Sequence, residues 1–231
     1  MINELKNYCN TWWAIIMQPI WFYTRLKEED WREKSLSFLL ITSWIIGLSA
    51  AIVIFVVQYV PIGGTLIEGL HGLNFLMIMP VLATLAFVFF VITLLILGGA
   101  FSLGFFLMFY LTGVVLHYVY IFLKGKGSMN RMIQSMFYST AAIQSVLLVL
   151  LLMIISKFGS LSFQLFQVGF EVIYFFTLLY LYGLWAIAGR KTYGVPKWLA
   201  FAGAIVPVIL LLIFGILFDK IALSRLQPWI T

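Results

Sequence analysis

Residues 75-FLMIMPVLATLAFVFFVITLLILGGAFSLGFFLMFYLTGVVLHYVYIFL-123 run directly into 124-KGKGSMNR-131. The first stretch is 49 residues long and holds no Asp, Glu, Lys or Arg. About 20 apolar residues are enough to cross a hydrocarbon core some 30 Å thick. Pro80 and the pair Gly98-Gly99 are the only interruptions, and the basic turn that follows is a cytoplasmic-loop signal. The rest of the chain has the same character. Of its 231 residues 64% are hydrophobic and 10% are charged, against about 25% charged in a soluble domain. A single soluble core could not hide that much apolar surface, so lipid is the solvent for most of it.

Outward from this stretch the pattern predicts an all-α polytopic membrane helix bundle. Residues 1–35 form a cytoplasmic, interfacial amphipathic segment; 36–218 form the transmembrane domain; 219–231 are a short tail. Spans are expected at about 36–60, 98–123, 132–156, 163–188 and 198–218, with Pro61, Gly63 and Gly64 ending the first. Five net crossings follow from charge. The N-terminal segment holds Lys6, Arg25, Lys27, Arg32 and Lys34; the loops 124–131 and 189–197 hold three basic residues each; 61–74 holds none and 157–162 one. If 75–123 crosses once in net terms, every basic loop lies inside with the N-terminus, and the C-terminus lies outside. The surplus chain at 75–97 is then a re-entrant hairpin near Pro80 or a helix lying against the outer side of the bundle. Six spans are the alternative, with 75–97 crossing by itself.

In residues 1–35, apolar and aromatic side chains (Trp12, Trp13, Ile15, Ile16, Ile20, Trp21, Phe22, Leu26) precede the charges Arg25 to Lys34. This predicts an interfacial helix broken near Pro19, or an amphipathic lead-in to the first span. The net charge of +6 is spread over short clusters between apolar runs, a pattern of topology signals and anionic-lipid contacts rather than of nucleic-acid binding. Cys9 is the only cysteine, so no intrachain disulfide can form. No cleavable signal peptide is expected, because the first long apolar run follows a charged segment.

Catalytic and ligand-binding patterns are weak. Lys124-Gly125-Lys126-Gly127-Ser128 lacks the spacing and the strand–helix context of a phosphate loop. Glu68 and His71 lie among glycines and are too few for a metal site, so they read as a polar outer loop. No nucleophile has a base beside it, so no enzyme activity, metal or cofactor is expected. Intramembrane polarity carries more. Glu171 lies about 12 Å from the outer boundary and Gln144 about 18 Å from the inner one, by helical rise. On antiparallel neighbours the two could hydrogen-bond, as a packing contact or as part of a pathway. His117, Tyr138, Tyr180 and Tyr182 are expected within about 12 Å of the inner boundary, as a polar layer or an aromatic belt. Gly98, Gly99, Ser102, Gly104 and Ala200, Ala202, Gly203, Ala204 are small-residue stripes suited to helix contact.

The segment Gly125-Lys126-Gly127-Ser128-Met129-Asn130-Arg131, with Phe137-Tyr138-Ser139 after it, resembles the cytoplasmic loop and third-helix start of the Yip family. These are Rab-GTPase-interacting membrane proteins and their bacterial relatives. Pro19, Phe22 and Leu26 are similar to the family's N-terminal proline and aromatic motif. Ala141 and Ala142 stand where the family often has a proline, and 75–97 is extra. The resemblance implies five spans and a cytoplasmic N-terminus. Among bacterial members it is greatest to an accessory protein of a MacAB-like ABC exporter. It therefore implies a non-enzymatic assembly role in an efflux complex that protects against a toxic peptide, with an ABC permease and a membrane-fusion-type subunit as partners. Lys124, Lys126, Arg131, Arg190 and Lys191 are the expected partner-binding residues; Glu171, Gln144, His117 and Tyr138 are the intramembrane polar candidates. The alternative is a small permease with Glu171 in its pathway.

Overall fold

The computed structural model describes residues 2–68, 73–159, 161–223, 225 and 227. His71 and most of 224–231 lie outside them, so the Glu68–His71 pairing and the end of the tail do too. The described chain is a bundle of helices. Two short ones come first, α1 (Ile2–Met17) and α2 (Pro19–Arg25). Then follow α3 (Lys34–Ile54), α4 (Val60–Ile67), α5 (Leu73–Phe122), α6 (Met129–Ser139), α7 (Val146–Lys157), α8 (Phe163–Tyr193) and α9 (Lys197–Phe218). Among the described residues, five stretches are long and apolar enough to cross a membrane: Lys34–Thr65, Met77–Phe122, Met129–Lys157, Phe163–Tyr193 and Lys197–Ile221.

Contacts between helices fix an antiparallel order. Gly47 meets Gly98 between α3 and α5, and Tyr59, in the turn that follows α3, meets Thr93 of α5. Gly113 meets Ile133 between α5 and α6, and Gly169 meets Leu152 between α8 and α7. Tyr174 meets Gly215 between α8 and α9. With this alternation the start of α3, the end of α5, the start of α6, the end of α8 and the start of α9 all share one end of the bundle. That end carries Arg25, Lys27, Arg32, Lys34, Lys124, Lys126, Arg131, Arg190, Lys191 and Lys197. It is the basic end.

The structure corrects the reading of 75–97. The segment is not a re-entrant hairpin, a separate helix lying against the outer side of the bundle or a span of its own; it is the first half of α5, a single helix of 50 residues. Proline removes one amide donor, and a membrane helix with no competing water stays helical around such a gap. Pro80 and Gly98-Gly99 therefore do not interrupt it. At 1.5 Å per residue α5 is about 75 Å long, more than twice a hydrocarbon core of about 30 Å, so it tilts or projects beyond lipid at the far end. Pro61, Gly63 and Gly64 likewise do not end the first span. The chain widens into a π-turn at Phe55–Tyr59, and Val60 N–H reaches Phe55 O. The wider turn makes room ahead of Pro61, whose ring would otherwise press on the carbonyl four residues back, and helix resumes as α4.

Gly98 serves packing. A Cβ there would enter the Trp44 ring, 2.6 Å from its nearest carbon, and one at Gly47 would lie 2.9 Å from Gly98 Cα. Gly99 and Gly104 face open space. Gly98→Ala is expected to cost about 2 kcal/mol by overpacking, read as a lower unfolding midpoint in a detergent titration. Gly99→Ala is expected to leave the midpoint unchanged; equal effects would remove the seam assigned to Gly98.

The middle of the third span tightens into a 3-10 turn at Thr140–Ser145. Ser139, Thr140 and Ser145 hydroxyls donate back to Met136 O, Phe137 O and Ala142 O, which competes with the regular ladder. Burial concentrates in the half of the bundle nearer the basic end, around Tyr23, Phe109, Tyr120, Phe137 and Trp185, all fully buried. α1 and α2 belong to this core.

Candidate functional site

The basic end is built around two tyrosines. Tyr120, in the last turn of α5, stacks on Tyr193 at the end of α8, with ring centroids 5.2 Å apart. Tyr120 donates its hydroxyl to Ala200 O at 2.7 Å, and His117 Nδ1 lies 2.6 Å from the Tyr193 hydroxyl. Gly189 and Gly203 form the two sides of the slot that holds the Tyr120 ring. Gly125 and Gly127 press the first loop onto Tyr193 and Thr192, and Lys126 N–H donates to Tyr193 O at 3.1 Å. The two basic loops are thus one surface rather than two.

Local chain chemistry sets each loop. α5 ends in a Schellman turn: Gly125 N–H bonds Tyr120 O and Lys124 N–H bonds Ile121 O. The left-handed position falls on Lys124, at φ 61°, although glycine is the usual occupant. Gly125 is needed one place later, where a Cβ would meet Tyr193 Cβ at 2.8 Å. Ser128 caps α6 by accepting from Arg131 N–H at 3.2 Å. Gly194, at φ 66°, ends α8 with its N–H on Arg190 O.

Of the five cationic candidates, Lys124, Lys126 and Arg190 are exposed, and Arg131 and Lys191 are half-buried. The fused loops bring Lys124 and Lys126 beside the end of α8 that carries Arg190 and Lys191; Arg131 sits in the first turn of α6. An acidic connector lies beside them. Ser128 Oγ donates to Glu28 Oε1 at 2.5 Å, Asn130 Nδ2 to Glu29 O at 2.7 Å and Gln134 Nε2 to Lys27 O at 3.1 Å. Trp31 packs edge-on against Phe137, 5.4 Å between centroids. Residues 27–31 therefore strap one side of the 124–131 loop. Nothing in the local sequence pairs Glu28 with Ser128 across a hundred residues, and this strap escaped the sequence reading.

The N-terminal helices dock on the bundle as well. The chain breaks at Gln18 and restarts with Pro19 at the first helical position of α2, where its missing N–H costs nothing. Trp12 Nε1 donates to Ala141 O at 3.1 Å, a carbonyl of the 3-10 turn. Tyr180 donates to Ile16 O at 2.6 Å, and the buried Tyr23 hydroxyl reaches Ser135 O. Burial raises the Tyr8 and Tyr23 phenols above their ordinary pKa, so both remain protonated.

The Gln144–Glu171 contact does not form. Gln144 Nε2 donates to Tyr8 Oη at 2.7 Å, and Tyr8 Oη is 2.9 Å from Thr42 Oγ1. A helix that docks from outside the spans supplies the partner, and depth counting within the spans could not find it. Glu171 is exposed and faces away from the bundle interior. His117, Tyr138, Tyr180 and Tyr182 each have their own partners. His117 serves Tyr193, Tyr138 packs on Phe22 and Phe38, Tyr180 holds α1, and Tyr182 packs on Phe201. In the last span Ala200, Gly203 and Ala204 line an internal seam, and Ala202 is exposed.

Comparison with protein-family models, curated proteins and solved structures finds no match for this chain.

Proposed function

We propose that the chain is a non-enzymatic accessory protein of the Yip family that supports assembly of an ABC-type efflux complex protecting against a toxic peptide. In this reading it sits in the cell membrane with a cytoplasmic N-terminus and an extracellular C-terminus, and its partners are an ABC permease and a membrane-fusion-type subunit. The observation that carries the assembly role is the joining of both basic loops through the Lys126–Tyr193 backbone bond into a single cationic surface. A rigid surface costs less to order when a partner docks than two separate loops would. Its positive charge supports the cytoplasmic placement. The exporter and the toxic peptide rest on the resemblance carried by Gly125 to Arg131 and Phe137 to Ser139.

Extraction of the tagged protein in mild detergent tests this reading. The permease and the membrane-fusion-type subunit are expected to co-purify with it. Lys126→Gln/Arg190→Gln/Lys191→Gln is expected to reduce their recovery about tenfold, equivalent to about 1.4 kcal/mol; the remaining basic residues keep the orientation. A protein that elutes alone, or a triple variant that retains its partners, would overturn the proposal.

A further inference from the structure

The break between α1 and α2 opens a groove of about 560 Å³ on the side of the bundle. Met17, Pro19, Ile20, Trp21 and Ile187 make its lining mostly apolar, Gln18 and Thr24 are polar, and Arg25 is the one charged lining residue among the described residues. The volume falls in the range of about 300–1,000 Å³ usual for small-ligand sites. Ile20 and Trp21 are exposed although large and apolar, at 61% and 47%. The Arg25 guanidinium lies over the Trp21 ring, 4.5 Å from its centroid, and has no carboxylate partner among the described residues. A cation stacked this way keeps its N–H edge free to donate.

The wall that belongs to α8 extends the same chemistry. Arg190 and Lys191 follow Ile187 by three and four residues, so they share its face one turn nearer the basic end. The nearest acidic residues in sequence are engaged elsewhere, Glu28 with Ser128 and Glu29 with Lys34. The groove is therefore largely apolar, with Arg25 in its lining and Arg190 and Lys191 one turn beyond it toward the basic end of the bundle.

We propose that this groove binds one anionic phospholipid of the leaflet at the basic end, with an acyl chain along Met17, Ile20, Trp21 and Ile187 and the phosphate at Arg25, Arg190 and Lys191. Lipid rather than a soluble anion is the occupant, because the apolar lining needs a hydrocarbon and the bilayer supplies it at this level. The bound lipid would also tie α2 to α8 across the groove.

Tryptophan quenching in nanodiscs tests the site. The intact protein is placed in discs of phosphatidylcholine in which one fifth of the lipid is either brominated phosphatidylglycerol or brominated phosphatidylcholine. The Trp21 signal is taken as the difference from a Trp21→Phe variant. Brominated phosphatidylglycerol is expected to associate about fivefold more strongly than brominated phosphatidylcholine. Arg25→Gln is expected to reduce that preference to nearly one, and Ile187→Phe, which fills part of the groove without adding a tryptophan, to weaken quenching by both lipids. Circular dichroism confirms that each variant is folded. Equal quenching by the two lipids in the native protein, or a preference that survives Arg25→Gln, would overturn the proposal.

Discussion

Gly189→Ala is expected to lower stability by about 3 kcal/mol or more, at the upper end of what overpacking costs. The added methyl would overlap the Tyr120 ring at Cζ, Cε2 and the hydroxyl. That ring has nowhere to move. Its hydroxyl is bonded to Ala200 O, one face stacks on Tyr193, and a Cβ at Gly203 would lie 2.7 Å from its edge. Shifting it would disturb α5, α8 and α9 together, and with them the junction of the basic loops. The measurement is the unfolding midpoint in detergent beside Gly183→Ala, where the new methyl meets no atom within 4 Å. Gly189→Ala combined with Tyr120→Leu should recover part of the loss, and a double-mutant cycle isolates the clash. If both glycine variants lose the same small amount, the tyrosine slot does not hold the basic end together.

The second large effect is all-or-none. In a Cys9→Ser background, Lys126→Cys and Lys197→Cys are expected to resist a membrane-impermeant thiol reagent until the cells are permeabilised. Phe158→Cys, exposed in the turn at the opposite end, is expected to react at once from outside. The expectation combines the antiparallel order of the helices with the preference of Lys and Arg for the cytoplasmic side. Reaction of Lys126→Cys from outside would put the fused basic loops in the wrong compartment for cytoplasmic partners.

Much of the fold could be read in the residues. The five apolar stretches, the break at Pro19 and the gathering of Lys and Arg at one end follow from local composition and charge. Element boundaries were less legible. Pro61 and Pro80 have the local chemistry of helix breakers, but chain in lipid loses more by leaving its amides unbonded than by accommodating a proline. The candidate site was legible as two separate basic loops. Their joining was not, because it depends on Tyr120 finding a slot between Gly189 and Gly203, residues far apart in sequence. The role of Gln144 was misread for the same reason: Tyr8 is 136 residues away.

The sequence alone determined that this chain has the character of a membrane helix bundle and that its basic turns belong together, and it left five or six crossings open. Hydropathy and charge act residue by residue against the solvent, so they need no knowledge of neighbours. Only the tertiary structure decided that 75–97 continues a single long helix, that the N-terminal helices dock rather than lie free, and that the two basic loops form one surface. Each of those depends on which distant side chains meet, and close packing allows few arrangements that local pattern cannot distinguish.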